Sequence, residues 1–251
     1  MLDQIVQDKR AEVAQLSDQL LRNVRPSTRN VTYAIGTGRG EITVFAELKR
    51  RDPYTGDVRP DLDLAALADA LQSAGVSALV VDTESRHWGG SRDDLIALER
   101  HGVQIPLIRN DFVVEELQLY ESRRAGADSV FLRPALLEGP RLESALRVAA
   151  SMHMVGIVLV GNAPELERAL ETTAPIIALS NRDLETGQID LGTTLALAPR
   201  VPASRAVLAC FGIRTPEDVR RLRGVVDGVC IGTALLQAED PAARLVELVR
   251  P

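Results

Sequence analysis

Residues 78–108, with the sequence ALVVDTESRHWGGSRDDLIALERHGVQIPLI, decide the fold because they hold one complete strand-helix-strand unit. The run 78–82 is short, apolar and β-branched, which is typical of a buried strand. The segment 91–101 has the apolar spacing of an amphipathic helix, and Gly102 stands where a left-handed residue often ends one. A second apolar run, 105–108, follows. Because two strands joined by a helix run parallel, this unit predicts a parallel sheet covered by helices.

The same alternation of a short apolar run and a longer amphipathic segment occurs eight times from residue 43 onward. The predicted strands are 43–48, 78–82, 105–108, 129–132, 156–160, 176–179, 206–209 and 228–231. The predicted helices are 64–74, 91–101, 114–125, 139–152, 163–171, 190–198, 215–222 and 233–249. Eight such units predict an α/β fold, a closed (β/α)8 TIM barrel. A doubly wound open sheet is the alternative, and it would more often interrupt the alternation in its middle.

Residues 1–42 precede the first predicted strand. Their charge and apolar spacing predict one or two helices, followed by a connector that contains Gly36, Gly38 and Gly40. We expect this N-terminal helical extension to cap the barrel rim or to approach its mouth. No long linker interrupts the remaining chain, so residues 43–251 are predicted to form the barrel as one domain.

The composition of the 251-residue chain is that of an ordinary globular protein, with 45% hydrophobic and 25% charged residues. Its net charge of −6 and its 3% aromatic content argue against nucleic acids and anionic membranes as partners. No segment resembles a signal peptide or a membrane span. Cys210 and Cys230 form no metal or redox motif. We therefore expect a cytoplasmic protein that uses no metal or cofactor.

Two charged residues, Glu47 and Lys49, close the first predicted strand. In a barrel of this kind, functional residues lie at the carboxyl ends of the strands. Because side chains alternate along a strand, Glu47 and Lys49 point to the same side. If that side is the barrel interior, both charges are partly desolvated and each needs a partner. A structural ion pair is the alternative, and we favour a functional role for both residues.

Strands seven and eight are each followed by glycine and then by the start of a helix, at Gly212 and at Gly232-Thr233. Backbone amides at two adjacent helix starts form the phosphate cradle that is usual in these barrels. Two tight strand-to-helix turns without a ligand are the alternative. We expect a phosphate group to bind between Gly212, Gly232 and Thr233.

Other polar residues that follow the strands are candidate substrate contacts. Arg182, after strand six, would bind an anionic group. Arg133, after strand four, has no acidic neighbour in the sequence, and a solvated loop arginine is the alternative. Asp82 ends strand two and Asp52 lies in the loop after Lys49, so both are candidate acids near the mouth.

Together these segments resemble the indole-3-glycerol phosphate synthase family over nearly the whole chain. The resemblance rests on MLDQIVQDKRAEV at 1–13, ELKRRDP at 47–53, IRNDF at 108–112, NRDL at 181–184, Gly212-Ile213 and Gly232-Thr233. It implies a TIM barrel and a carboxy-lyase related to tryptophan biosynthesis. That family closes the indole ring of an anthranilate-derived, phosphorylated aminodeoxyribulose, with loss of carbon dioxide and water.

The resemblance also implies that several proton-handling groups of the family are replaced. The family has a lysine at Asn110 as a general acid, and asparagine has no proton to give at neutral pH. It has a glutamate at Leu159 and an asparagine at Ser180. Further departures are Asp52 where the family has serine, Trp88 where it has phenylalanine in an aromatic wall, and Cys210-Phe211 where it has Glu-Ser.

We therefore expect a divergent lyase or cyclase acting on a phosphorylated, sugar-derived small molecule, as a monomer or homodimer. Lys49 would be the principal cation or general acid, positioned by Glu47, with Asn110 and Ser180 at the positions of catalytic groups. A Schiff-base role for Lys49 is also open. One alternative is a non-catalytic paralogue that binds a phosphometabolite or a partner protein. Another is a genuine synthase with relocated acid and base groups.

Overall fold

The computed structural model describes residues 1–36 and 41–250. Its centre is a closed barrel of eight parallel strands, which confirms the predicted TIM barrel and excludes the open sheet. In chain order the strands are Thr43–Leu48, Ala78–Asp82, Leu107–Asn110, Ser129–Leu132, Val155–Val160, Ile176–Ser180, Ala206–Cys210 and Gly228–Ile231. Each strand pairs in parallel with the next, and the last pairs with the first, with Thr43 opposite Gly228.

Helices cover the outside of the barrel. They are Leu64–Ser73, Arg92–His101, Leu117–Arg124, Pro140–Ser151, Ala163–Leu170, Gly192–Leu197, Pro216–Leu222, Thr233–Leu236 and Pro241–Val249, with a 3-10 helix at Ala198–Arg200. An aliphatic layer between strands and helices, with Leu79, Leu95 and Leu98 fully buried, holds the two together. None of the described helices is long and apolar enough to cross a membrane.

The third strand lies two residues later than predicted, at Leu107–Asn110 rather than 105–108. Pro106 has no amide hydrogen to donate to the ladder, so the paired segment begins after it. The shift places Arg109 and Asn110 inside the strand. Because adjacent side chains point to opposite faces, only one of these two residues faces the barrel interior.

The last predicted helix, 233–249, is two helices in the structure, Thr233–Leu236 and Pro241–Val249. Asp240 accepts a hydrogen bond from the amide of Ala243 at 3.0 Å and caps the second helix. A proline at the first helical position then fits the helix start, where no amide hydrogen is needed.

The barrel interior is a separate apolar cluster in which Phe45 and Phe131 are the largest side chains. Phe45 belongs to the first strand and faces inward. Glu47, two residues further along, therefore faces inward as well, toward the end of the barrel where the strands finish. The charges predicted for the mouth thus stand directly on top of the apolar interior.

The N-terminal extension begins at the mouth of the barrel. Its helix Leu2–Val13 is attached there by Lys9, whose Nζ lies 2.9 Å from a carboxylate oxygen of Asp111. Ile5 of the same helix is buried against Trp88 in the loop after strand two. The first helix of the extension therefore lies at the mouth of the barrel.

The extension then reaches the opposite end of the barrel. After a 3-10 helix at Asp18–Leu21, the short helix Val31–Ile35 packs into the barrel interior. The hydroxyl of Thr43, where the first strand starts, donates to the Ile35 carbonyl oxygen at 2.9 Å. Of the predicted glycine-rich connector, Gly36 is described, whereas Gly38 and Gly40 lie outside the described residues.

Candidate functional site

A narrow cavity opens where the barrel strands end. It is lined by seven residues that the sequence predicts for the site: Lys49, Asp52, Asp82, Trp88, Asn110, Arg133 and Arg182. The remaining lining residues are Glu84, Phe112, Leu184 and Phe211. The cavity volume is about 20 Å³, the space of roughly one water molecule. The mouth is therefore nearly filled by its own side chains.

Lys49 lies within a chain of ion pairs. Its Nζ is 2.9 Å from Glu47 Oε2 and 3.3 Å from Asp52 Oδ2. Asp52 Oδ1 in turn accepts a hydrogen bond from Arg182 Nη1 at 2.9 Å. All four side chains are less than a tenth exposed. Two cations and two carboxylates thus compensate one another inside the mouth, where unpaired charge would be costly.

These neighbours keep Lys49 and Asp52 ionised. Burial acts to lower the pKa of Lys49, but the carboxylates of Glu47, Asp82 and Asp52 outweigh burial, and its pKa is raised. For Asp52, burial acts to raise the pKa, but Lys49 and Arg182 outweigh it, and its pKa is lowered. Both groups therefore carry their full charge at neutral pH.

Asp82 is shifted in the opposite direction. Burial and the nearby carboxylate of Glu47 together raise the pKa of Asp82 well above its usual value. Asn110 Nδ2 donates a hydrogen bond to Asp82 Oδ1, while Asp82 Oδ2 is buried without a hydrogen-bond partner among the described residues. Asp82 is thus a carboxyl group at the mouth that keeps its proton to a higher pH than an exposed carboxyl group does.

Aromatic rings form one wall of the mouth. The Trp88 and Phe112 rings contact each other with centroids 5.4 Å apart. The guanidinium of Arg133 lies over the Phe112 ring, 5.1 Å from its centroid. Ile5 and Leu184 pack against the same pair of rings. The wall that the sequence assigns to Trp88 is therefore shared with Phe112 and the N-terminal helix.

A larger cavity, of about 340 Å³, lies beside the first at the ends of strands five and six. Arg133, Arg182 and Leu184 line both cavities, so the two are neighbours across these side chains. Leu159 and Ser180 line the larger one. The Ser180 hydroxyl donates to the backbone carbonyl oxygen of Arg182 at 2.9 Å, so its proton is directed at the backbone.

The predicted phosphate cradle lies at the ends of strands seven and eight, which pair directly in the sheet. Gly212 has a φ of +78°, and Phe211 before it has a φ of +69°. A left-handed conformation is unusual for a residue as large as phenylalanine. Asn181 Nδ2 donates to the Phe211 carbonyl oxygen at 3.1 Å and so supports this loop. The Phe211 side chain then lines the mouth cavity.

Gly232 packs directly against Glu47. A Cβ atom at position 232 would lie 2.9 Å from Glu47 Cβ and would overlap its carboxylate. Thr233 follows at the start of the helix Thr233–Leu236. The end of strand eight therefore contacts both predicted parts of the site, the ion pairs around Lys49 and the phosphate cradle.

Besides Phe112 and Leu184, the sequence did not predict the contributions of Glu84 and Tyr54 to the mouth. Glu84 accepts hydrogen bonds from the backbone amides of residues 86–88, at 3.1, 2.7 and 3.0 Å, and shapes the loop that carries Trp88. An acidic residue two to four positions before the amides that it binds is a local signal for a turn. The role of Glu84 could therefore have been recognised from the sequence. The Tyr54 ring lies 5.0 Å from the guanidinium of Arg182, a contact that only the folded chain brings about.

The charged groups at the mouth suit anion binding and proton exchange. Within residues 1–36 and 41–250, no group of three or more His, Cys, Asp or Glu side chains is arranged to hold a metal ion. Glu47 and Asp52 instead surround the ammonium of Lys49.

Comparison with known proteins adds independent observations. Residues 2–248 match the family model described as indole-3-glycerol phosphate synthase. The indole-3-glycerol phosphate synthase of Dehalococcoides mccartyi (strain ATCC BAA-2266 / KCTC 15142 / 195) is 40% identical over 212 residues, which cover 83% of this chain and 82% of that protein. The protein of that name from Laribacter hongkongensis (strain HLHK9) is 35% identical over 259 residues, covering 99% and 98%. The solved structure of 3-hexulose-6-phosphate synthase from Salmonella typhimurium covers 83% of this chain and 97% of its own, with a TM-score of 0.67 at 14% identity, a likeness of fold alone.

Proposed function

This chain belongs to the indole-3-glycerol phosphate synthase family, and from that premise we propose that it is a divergent lyase or cyclase acting on a phosphorylated, sugar-derived small molecule. One observation carries the proposal. The mouth keeps a buried, charged Lys49 beneath an aromatic wall. The sequence resemblance supports the divergence, because it aligns Asn110 and Leu159 with the family's lysine and glutamate. Groups that bind and orient a substrate are thus retained, and groups that transfer protons differ.

Lys49 is the principal cation of the proposed site. It would stabilise the negative charge that develops on a substrate oxygen during bond breaking. A Schiff-base role requires the free amine, and the raised pKa of Lys49 keeps the amine protonated. Glu47, whose carboxylate is 2.9 Å from Nζ, positions the ammonium.

Asp82 is the proposed proton donor. Of the two acids that the sequence offers as replacements, Asp52 has a lowered pKa and is occupied by Lys49 and Arg182. Asp82 has a raised pKa, and its hydrogen bond from Asn110 fixes one carboxyl oxygen. A protonated Asp82 could pass its proton to a substrate carbonyl or leaving hydroxyl, and the resulting carboxylate would be stabilised by Lys49.

The substrate's phosphate would bind to the backbone amides of Gly212, Gly232 and Thr233. Paired strands bring these positions together, and backbone amides at the ends of barrel strands suit a phosphate. Phe211 narrows the approach, because its side chain lines the mouth beside them. The resemblance aligns Phe211 with a serine of the family, which is a smaller residue. A substrate of this chain must therefore displace the Phe211 side chain or be narrower beside it than a family substrate.

A non-catalytic role is the second candidate, and the filled mouth favours it. The cavity of about 20 Å³ and the internally satisfied ion pairs would suit a barrel that binds a phosphometabolite or a partner without turnover. A genuine synthase with relocated acid and base groups is the third candidate. The three candidate functions predict different rates of turnover of the family's aryl-aminodeoxyribulose phosphate: a trace rate for the divergent enzyme, none for the binding protein and a normal rate for the synthase.

The test combines turnover with binding. Formation of indole-3-glycerol phosphate from that substrate and the thermal shift that the substrate induces are measured for wild type, Lys49→Met and Arg168→Gln. Arg168 is a suitable control because it lines neither mouth cavity, and among the described residues its side chain donates to the carbonyl oxygen of Pro134 alone, at 3.4 Å. The triple variant N110K/L159E/S180N tests whether the positions without a proton donor are assigned correctly.

Each outcome selects one candidate. Stabilisation by the substrate with trace turnover, raised strongly in the triple variant, supports the divergent enzyme. Turnover at a rate normal for biosynthetic enzymes, on the order of 10 s⁻¹, refutes the divergence. Stabilisation without product in any variant favours the binding protein, and no stabilisation by substrate or phosphate refutes both.

A further inference from the structure

We infer that the cavity between the N-terminal extension and the barrel, lined by Arg22, Arg25 and Arg124, is a binding site for a small anion that carries two or more negative charges. The cavity lies at the end of the barrel where the strands begin, opposite the mouth. Of its described lining residues, none lines either mouth cavity. The site is therefore independent of the proposed function at the mouth.

The extension forms one side of this cavity and the barrel forms the other. The extension contributes Arg22 and Arg25. The barrel contributes Glu99, from the helix that leads into strand three, together with Arg123 and Arg124, from the end of the helix before strand four. The cavity volume is about 500 Å³, which is in the range of small-molecule sites.

Positive charge dominates the lining. Four of the eight described lining residues are arginines, and Glu99 is the single acid among them. That acid is already engaged, because Arg29 binds Glu99 and Arg123 Nη2 lies 3.9 Å from it. Arg123 in turn pairs with Asp128 at 2.9 Å. The chain as a whole has a net charge of −6, so this concentration of cations is local.

Arg22, Arg25 and Arg124 are the uncompensated cations of this cavity. Within residues 1–36 and 41–250, no carboxylate lies within the ion-pair distance of 4.0 Å of any of the three. All three side chains belong to exposed residues, and arginine stays charged at neutral pH. Like charges around one cavity repel one another, and an anion placed between them would remove that repulsion.

Local structure explains the position of Arg124 but not the charges beside it. Arg124 Nη1 donates to the backbone carbonyl oxygen of Arg22 at 2.9 Å and so joins the helix Leu117–Arg124 to the extension. A cation in the last turn of a helix is favourable without any ligand. Arg22 and Arg25 lie outside the helices, so this stabilisation does not apply to them. Asn23, with a φ of +53°, lies at the bend between them.

The arrangement of the arginines defines the ligand by its charge. Guanidinium groups form bidentate hydrogen bonds with phosphate and with carboxylate groups. Because the extension and the barrel both present an uncompensated arginine, the ligand should carry at least two such groups. Oligophosphates and polycarboxylates both meet this requirement. A ligand that contacts both sides would also hold the extension against the barrel.

The test measures the binding of tripolyphosphate, citrate and inorganic phosphate by calorimetry. The main variant is R22Q/R25Q, which keeps the backbone carbonyl oxygen that accepts from Arg124. The matched control is R10Q/R221Q, because it also removes one arginine from the extension and changes the net charge equally. Both control residues are exposed, and neither lines the cavity. Lys49→Met reports on binding at the mouth.

We expect tripolyphosphate or citrate to bind wild type, the control and Lys49→Met equally, and to bind R22Q/R25Q about tenfold more weakly or worse. Inorganic phosphate should bind wild type more weakly than the preferred anion does. Tighter binding of tripolyphosphate assigns the ligand to oligophosphates, and tighter binding of citrate assigns it to polycarboxylates. No binding of either to wild type, equal losses in R22Q/R25Q and the control, or a loss in Lys49→Met alone would overturn the inference.

Thermal unfolding distinguishes a binding site from a structural role. Without added anion, R22Q/R25Q should be at least as stable as wild type, because the substitutions remove repulsion and no ion pair. The preferred anion should raise the melting temperature of wild type and of the control, and that of R22Q/R25Q much less. A large loss of stability without anion, with unchanged anion affinity, would make the arginines structural and overturn the inference. Heparin binding that needs Arg22 and Arg25, without binding of either small anion, would assign the surface to a polymer and overturn it as well.

Discussion

Arg182 Nη1 donates to Asp52 Oδ1 at 2.9 Å, although 130 residues separate the two in the sequence. The bond ties the loop after strand one to the end of strand six and neutralises Arg182 from within the protein. The carboxylate of Asp52 thus lies between two cations, Lys49 and Arg182. Within the described part of the chain, Arg133 is the one cation lining the mouth cavity that has no carboxylate at ion-pair distance, and its Nε is buried without an acceptor.

Replacing Asp52 with serine should free both of its cations. We expect Asp52→Ser to lower the free energy of unfolding by about 3 kcal/mol, because Arg182 becomes a buried, unpaired charge. Added phosphate should restore more stability to the variant than to wild type, by binding the freed cations. Urea unfolding with and without phosphate measures both effects.

The effect of Asp52 should also depend on pH. The pKa of Asp52 is lowered in the folded state, so its contribution is present above its unfolded value near 3.8 and is lost as pH falls through the folded value. The difference between wild type and Asp52→Ser should therefore be constant near neutral pH and shrink under acid conditions. A difference that grew as pH fell would contradict the ion pairs.

Asp82→Asn should show the opposite pH dependence. The folded-state pKa of Asp82 is raised, so its stabilising contribution is present below the unfolded value and is lost as pH rises through the folded value. Asparagine keeps the acceptor for Asn110 but does not titrate. Relative to wild type, the variant should gain about 1.4 kcal/mol per pH unit between the two pKa values.

Urea unfolding at successive pH values upward from the unfolded value near 3.8 measures this gain, with the exposed Asp61→Asn as the control. A flat difference between Asp82→Asn and wild type would show that Asp82 is ionised in the fold. The proposed proton donor would then be wrong, even if the variant were inactive.

Lys9→Met should detach the N-terminal helix from the barrel. Lys9 is buried, 2.9 Å from Asp111 and 2.8 Å from Glu12, and its loss should cost about 2 kcal/mol. Amide hydrogen exchange in the helix Leu2–Val13 should accelerate about tenfold or more, while exchange in the barrel strands stays slow. The exposed neighbour Arg10→Met is the matched control. Equal acceleration in both variants would mean that the Lys9 ion pair does not hold the helix.

Two substitutions at Phe211 separate backbone strain from packing. Phe211→Gly and Phe211→Ala remove almost the same side chain, but only glycine adopts a φ of +69° without strain. We expect the glycine variant to be more stable than the alanine variant by about 1 kcal/mol, the reverse of their usual order. Urea unfolding of the two variants measures this difference. Greater stability of the alanine variant would contradict strain at this position.

The same two variants test the proposed cradle. Both shorten the side chain that lines the mouth beside Gly212, so both should bind inorganic phosphate more tightly than wild type does. Calorimetric titration measures this affinity. Unchanged phosphate affinity in both would place the phosphate elsewhere.

The sequence predicts the barrel well because each strand is a local apolar run bounded by glycine, proline or polar residues. The third strand and the last helix were misplaced at Pro106 and Pro241, where the chemistry of a single residue moves a boundary. The pairing of Glu47 with Lys49 follows from side-chain alternation alone, and the distance of 2.9 Å agrees with it.

The rest of the mouth depends on contacts that no local pattern contains. Asp52 meets Arg182 only because a loop folds over the barrel from strand one to strand six. Whether Arg133 has an acidic partner depends on every residue that surrounds it in the fold. From the sequence alone, a solvent-exposed loop arginine was an equal alternative. The sequence resemblance shows that Leu159 replaces a glutamate of the family. The cavity beside Leu159 forms only when strands five and six lie next to each other in the barrel.

The close packing of Gly232 on Glu47 has a consequence for the history of such chains. Even a methyl group at 232 would push the acid at 47 aside, and Lys49 would lose its nearest counter-charge. Mutations at positions 232 and 47 are therefore not independent. A larger residue at 232 is compatible with this packing when the residue at 47 is smaller than glutamate. A side chain at the end of strand eight would therefore occupy the space that the acid at the end of strand one now fills.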